Sequence, residues 1–344
     1  MKKQNKSTKK NFIKKIFIKI CRMFGYEIID QGNFYIPTQK KFLDENLNIP
    51  GKKSINLPLG EVKISRKVNA LTIIFRSCTN VNMLTQNKKR LFDKSKSEYT
   101  FRSLNSLLVS LNHAKNIFPK INFEIFIIDY SSEEEDLKQM EKQLNKTNFK
   151  NTLISLNIND FIENINKLNE KNEKVTENQI SNMSNIHKSL LLAKDKCSDL
   201  IYFVEDDYIH KKDALTELIF TYERISSQIN EELILCPTDY PYLYTKTEPT
   251  RIFLGSSRHW RKIDETLCTF LTSKIIIEKY WEKFVSMCQF EHYPFEKPLH
   301  EIYESEYCLS PIPSLAIHCT NVNSIFGLSP NIDWKEIWDE NANY

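Results

Sequence analysis

The chain has 344 residues, 41% of them hydrophobic and 12% aromatic, which is enough for a sizeable core and unlike a disordered composition. It holds only 6 glycines, with no GxGxxG and no GxxxxGK[ST] run, which counts against dinucleotide-binding and P-loop chemistry. The formal net charge of +4 is uneven: residues 1–26 carry nine basic groups and no acid, leaving 39 basic against 44 acidic groups elsewhere, so a nucleic-acid-binding body is disfavoured.

The pattern in chain order begins with "NFIKKIFIKICRMF" (11–24). Phe12, Ile13, Ile16, Phe17, Ile20 and Phe24 recur at helical spacing, and Lys14, Lys15, Lys19 and Arg22 take the other face. Such a basic amphipathic helix suits peripheral contact with an anionic membrane surface, or alternatively docking on its own domain. Interrupting lysines and the lack of a small-residue cleavage site speak against a signal peptide. No apolar stretch reaches the ~20 residues that span a bilayer. Residues 1–65, which include a polar stretch around Pro50 and Gly60, read as a helical extension. Residues 66–344 read as one α/β domain with a nucleotide-binding half (66–210) and an acceptor-binding half (211–344).

From residue 68 strands and helices alternate. "ALTIIFRSC" (70–78) reads as a buried strand stopping at Arg76, and 101–118 as a helix with a leucine stripe. "NFEIFIIDYSS" (122–132) is a second strand ending at Asp129. A helix over 133–146 follows, with its acids in the first turn, and then a strand over 151–157. Residues 158–180 read as an exposed helix or a mobile excursion. Further elements are a helix over 181–197, a strand over 199–208, a helix over 211–229 and a strand over 231–241. This alternation predicts βαβ units in a mostly parallel sheet flanked by helices, with ligands bound beyond the carboxyl ends of the strands.

The fourth strand, "LIYFVEDDY", runs into three adjacent acids, Glu205, Asp206 and Asp207. A solvated strand end is one reading. The run Leu200–Val204 lacks alternation, however, so the strand is buried on both faces and its end lies in a crevice. Clustered carboxylates there need a counter-charge, and a hard divalent ion shared with substrate phosphates would supply it. The eight cysteines form no CxxC pair and read as buried free thiols of a reducing cytoplasm.

The order of these elements, together with "NIHKSLLLAKDKCSDLIYFVEDD", resembles the GT-A nucleotide-sugar-binding fold of family 2-like glycosyltransferases, over roughly residues 68–335. The resemblance implies a DxD-type enzyme that moves a sugar from a nucleoside-diphosphate-sugar donor to a saccharide or lipid-linked acceptor, with Mn²⁺ or Mg²⁺. Asp129 would hold the nucleotide base or ribose, and Arg76 and Ser77 would line the nucleotide pocket. Glu205 and Asp207 would take the two acidic positions of DxD, with Asp206 between them near the nucleotide. The Glu in the first position departs from the motif. His318, after "PIPSLAI", would be a further metal ligand. For an inverting transfer the base would be Glu296, with Glu265, Asp239, Asp264 and Glu301 as rivals. The aromatic-rich "CPTDYPYLYT" and "GSSRHWRK" suggest Tyr240, Tyr242, His259 and Trp260 as an acceptor-sugar platform. The enzyme would sit in the cytoplasm, peripherally at the inner membrane face. A non-catalytic carbohydrate- or nucleotide-binding module is the alternative, and a nucleotidyltransferase lacks its glycine-rich phosphate loop here.

Overall fold

The computed structural model describes residues 8–26, 64–80, 90–245 and 249–344. The stretch around Pro50 and Gly60 lies outside them. The chain divides into two compact units, residues 1–62 and 63–344. The first contains helix α1 (Thr8–Met23). Of its described side chains, Ile16, Phe17, Ile20 and Met23 are exposed.

The second unit contains strands β1 (Ala70–Ser77), β2 (Asn122–Asp129), β3 (Lys150–Ser155), β4 (Leu200–Glu205), β5 (Tyr208–His210), β6 (Leu233–Leu235), β7 (Ile252–Leu254), β8 (His259–Lys262), β9 (Phe270–Ser273), β10 (Tyr307–Ile312) and β11 (Ala316–His318). Its helices are α2 (Lys96–Ile117), α3 (Glu134–Leu144), α4 (Glu177–Lys196), α5 (Ala214–Ile229), α6 (Lys274–Lys279), α7 (Trp281–Gln289), α8 (Lys297–Tyr303) and α9 (Trp334–Glu340). The main sheet has the order β3-β2-β1-β4-β9-β6-β10-β8-β7. Only β8 and β9 run against the other strands. This is the GT-A-like architecture, mostly parallel and flanked by helices, that the sequence resemblance implies.

Both faces of the central strands are buried. Phe75 of β1 and Tyr202 and Val204 of β4 pack with α2 and α5, while Ile74, Ile201 and Phe203 pack with α4 and α7. The sequence pattern misses three features. β9 is a short antiparallel strand inserted between β4 and β6. α2 begins five residues earlier than the leucine stripe suggests, at Lys96, with Ser95 capping the Glu98 N–H. α4 begins at Glu177, where Thr176 and Gln179 form a capping box, and the segment before it holds two short 3₁₀ turns rather than one long helix.

Beyond the acids the chain turns into β5, which pairs with β11 in a separate two-stranded sheet. A serine stripe on α2 fixes this segment. The Ser103 hydroxyl donates to the Tyr208 carbonyl at 2.6 Å, while Ser106 and Ser110 accept the backbone N–H groups of His210 and Leu215, each at 2.9 Å. All three serines are buried. Their recurrence at helical spacing lets one helix satisfy backbone groups that have left the main sheet. We predict that Ser106→Ala, which strips a buried N–H of its acceptor, lowers unfolding free energy by about 1–3 kcal/mol in urea titrations. Unchanged stability would rule out this anchoring.

Candidate functional site

The carboxyl ends of β1 and β4 and the last residue of β11 open on a cavity of about 500 Å³, lined also by α4 and by the loop leading into α8. The register of β1 on β4 sets Arg76 opposite Glu205. An Arg76 guanidinium nitrogen lies 3.0 Å from a Glu205 oxygen, and another donates to Asn182 Oδ1 at 3.0 Å. The next acid, Asp206, forms an ion pair with Lys96 at the start of α2. Its second oxygen accepts from the Thr100 hydroxyl at 2.8 Å and from the Cys78 N–H at 3.2 Å. The third acid, Asp207, lies 3.3 Å from Nε2 of His318. Each of the three acids therefore has a cationic side chain of its own, brought by β1, α2 and β11 respectively.

The protonation states follow this pairing. Burial alone would raise the Asp207 carboxyl, but His318 and Lys96 hold it well below the usual carboxylate range. Burial disfavours charge on His318, yet the Asp207 carboxylate raises its affinity for a proton above the ordinary value. Burial likewise opposes charge on Lys96, and Asp206 and Asp207 overcome it.

The His318 ring is fixed on two further sides. Nδ1 lies 2.9 Å from the Phe326 carbonyl and must carry hydrogen to bond there. The ring also stacks on Tyr208, with centroids 4.9 Å apart. Nε2 is thereby turned to the Asp207 carboxylate, so two electron-pair donors face each other and require a cation between them, either a proton or a metal. Among the described residues no three His, Cys, Asp or Glu side chains converge as a metal cage. Asp207 and His318 could supply a carboxylate oxygen and an imidazole nitrogen to a divalent cation, two ligands of a set that other groups would have to complete.

The expected residues are divided between the cavity lining and the packing behind it. Glu205, expected as a metal ligand, is turned onto Arg76 and also accepts from the Thr269 hydroxyl at 3.3 Å. Asp206, expected near the nucleotide, lines the cavity but is held by Lys96, Thr100 and Cys78. Ser77 lines the cavity, and its hydroxyl donates to Asp129 at 2.7 Å. Asp129 itself lies behind the lining and accepts from the Ser132 hydroxyl at 2.6 Å and its N–H at 3.0 Å. Burial raises its carboxyl above the ordinary value despite these bonds.

The residues expected as an acceptor platform do not line the cavity. Tyr240 and Trp260 are both 0% exposed and offer no open ring face. The Tyr240 hydroxyl meets that of Tyr208 at 2.5 Å, which places it behind His318, and Tyr242 is buried against Phe326. The Trp260 indole N–H donates to Glu217 on α5 at 3.3 Å, whereas its neighbour His259 is exposed and does not line the cavity. Alternation along a strand sends adjacent residues to opposite faces.

Among the expected bases only Glu296 lines the cavity, at the N-terminal end of α8. Glu265 uses its backbone carbonyl to accept from Tyr242 and lies outside the lining. Asp239 is buried in an ion pair with Arg261. Asp264 and Glu301 sit in surface pairs with Lys262 and Lys283, at 3.5 and 3.1 Å. The sequence reading missed Lys96, Thr100 and the amide-rich face of α4 (Asn178, Gln179, Asn182 and Asn185), which also lines the cavity. The Ser95-x-x-Glu98 spacing, a helix-start pattern, is the signal that would have brought Lys96 into the site.

No protein-family model matches the chain, and no curated protein matches its sequence. Solved structures similar to it include an S. aureus TarS fragment, at 16% identity, 61% of this chain, 48% of that one and a TM-score of 0.34. The galactosyltransferase LgtC in complex with donor and acceptor sugar analogues is similar at 12% identity, 62% of this chain, 64% of that one and a TM-score of 0.32. A UTP-bound UGPase from Acinetobacter baumannii is similar at 7% identity, 80% of this chain, 92% of that one and a TM-score of 0.39. The chain thus spans about half of the TarS fragment and less than two thirds of LgtC. At such TM-scores the functional reading rests on the residues of the site.

The ion pair of Asp239 makes a direct prediction. Asp239→Ala leaves Arg261 buried without its partner and should lower stability by about 3–5 kcal/mol. Chemical denaturation measures this, and a stable but inactive variant would return Asp239 to the list of bases.

Proposed function

We propose that the protein is a glycosyltransferase that moves a sugar from a nucleoside-diphosphate-sugar donor to a saccharide or glycolipid acceptor. The observation that supports this most is the meeting of Arg76, the Glu205–Asp207 run, His318 and Glu296 around one cavity at the carboxyl ends of parallel strands. Such a cavity has the size of a small-molecule site, and its carboxylates, Glu205, Asp206, Asp207, Glu291 and Glu296 against the cations Arg76, Lys96 and His318, suit a phosphorylated ligand that brings a divalent cation with it. In this reading Arg76 and Ser77 face the nucleotide, and Asp207 with His318 would hold Mn²⁺ or Mg²⁺. That ion, when bound, supplies neutralising charge at the donor's phosphates.

The amide and hydroxyl groups of α4 suit hydrogen bonding to sugar hydroxyls. In this reading Glu296, which lines the cavity, would take the proton of the attacking acceptor hydroxyl in an inverting transfer. The acceptor oxygen then forms its bond to the sugar's anomeric carbon as the bond to the nucleoside diphosphate breaks. Arg76, buried and held by Glu205 and Asn182, is oriented before the ligand arrives.

Asp207→Asn keeps the shape of the side chain but removes its charge. We expect at least a 100-fold loss of nucleoside-diphosphate release from a panel of UDP-, GDP- and CDP-sugars with Mn²⁺, without loss of fold. That magnitude is on the order of one lost electrostatic contact at a reacting centre. Full turnover in this variant would overturn the site. Saccharide binding by a wild-type protein that neither binds nucleotide nor hydrolyses any donor would favour the binding-module reading instead.

The basic helix at the start of the chain supports a place on an anionic membrane surface. Among the described residues no helix is long and apolar enough to cross a membrane. The exposed Phe17, Ile20, Met23 and Phe24 suit shallow insertion, with the lysines drawn to anionic headgroups. Deleting residues 1–26 should release the protein from anionic vesicles in flotation assays; undiminished binding would refute this.

A further inference from the structure

The least expected cation in the site is Lys96. It is the first residue of the 22-residue helix α2, where the helix dipole disfavours positive charge. Its side chain is 9% exposed, so the ammonium has also lost most of its water. Both costs make Lys a poor choice for structure alone. Lys96 gives Asp206 its counter-charge through one oxygen, while the Thr100 hydroxyl and the Cys78 N–H hold the other. An ammonium has three N–H donors, and among the described residues Asp206 is the hydrogen-bond acceptor of Lys96. Lys96 also lines the cavity shared by Arg76 and His318.

We infer that Lys96 binds the diphosphate of the ligand directly, with Asp206 holding the ammonium in place. The inference deepens the glycosyltransferase reading and rests on it for the identity of the ligand. Arg76 and Lys96 are permanent charges at physiological pH, whereas Asp207 and His318 meet phosphate only through a cation between them. The site thus has two routes to an anion, and the Lys96 route requires no metal. Thr100 and the Cys78 N–H keep Asp206 in place, so the ammonium can share its remaining donors with phosphate oxygens without moving. A compact ammonium serves as a point charge on a diphosphate and requires no flat, two-pronged partner.

Calorimetric titration of the full chain tests this, using inorganic pyrophosphate, UDP, GDP and CDP and the matching monophosphates, each in EDTA and in Mn²⁺. Lys96→Met should weaken pyrophosphate and diphosphate binding about ten-fold or more, with the loss persisting in EDTA and smaller for monophosphates. The double variant Lys96→Met/Asp206→Asn restores charge balance and guards against misfolding; it should stay weak. Wild-type affinity in Lys96→Met, or its recovery in the double variant, would reduce Lys96 to a partner of Asp206 and overturn the inference while leaving the transferase reading intact. Lys96-dependent pyrophosphate binding without nucleotide binding would sustain the inference and overturn the nucleotide-sugar reading. A wild-type protein that binds neither overturns both.

Discussion

Three successive carboxylates at the end of a buried strand are the constraint around which this domain is arranged. They repel one another, Asp206 and Asp207 are buried, and cations at fixed positions offset the repulsion. The fold brings those cations from parts of the chain far apart in sequence. Arg76 arrives because β1 lies next to β4 in register, Lys96 because α2 begins there, and His318 because β11 pairs with β5. Buried ion pairs add little net stability, but a missing partner is costly, so they select this arrangement over others more than they strengthen it. The serine stripe of α2 has the same logic. It satisfies backbone groups just beyond the acids and so fixes the helix whose first residue must reach Asp206.

Much of this was legible in the sequence. The apolar runs of β1, β2 and β4 are continuous, so their existence and parallel pairing follow from pattern alone, and so does the crevice at their ends. Other features were hidden for physical reasons. β9 is four residues long and contains two polar side chains, which leaves periodicity little to work on. The start of α2 is a polar Lys-Ser-Glu turn, so the apolar stripe gives no sign of it while the capping spacing does. The aromatic-rich segments showed which residue types were present but not which way they point. Tyr240 and Trp260 turn inward because large rings have much apolar surface to bury and their polar tips find partners there, in Tyr208 and Glu217. Adjacent acids are likewise indistinguishable in sequence, since only the register of β1 reveals that Glu205 meets a guanidinium.

Tyr240 does not line the cavity but supports it from behind. Its hydroxyl meets that of Tyr208, the Tyr208 ring stacks on His318, and His318 faces Asp207. This chain of contacts stiffens the imidazole from behind, while the Phe326 carbonyl fixes its tautomer. A group whose ring nitrogen must face one carboxylate gains from such support, because a small rotation would turn the nitrogen away from it.

The three ion pairs also differ in how they can respond to a ligand. A metal cation that replaced Arg76 or Lys96 would have to expel a permanent charge and leave it buried nearby. Between Asp207 and His318 the cation can be a proton, and the imidazole remains a competent ligand once a proton has left. Among these pairs, Asp207 and His318 can therefore accept a divalent ion without stranding a charge. The same reasoning explains why a run of three acids tolerates Glu in its first position. The longer side chain of Glu205 is matched to a guanidinium on the neighbouring strand, and the pairing of Asp207 with His318 at the far end of the run does not involve it.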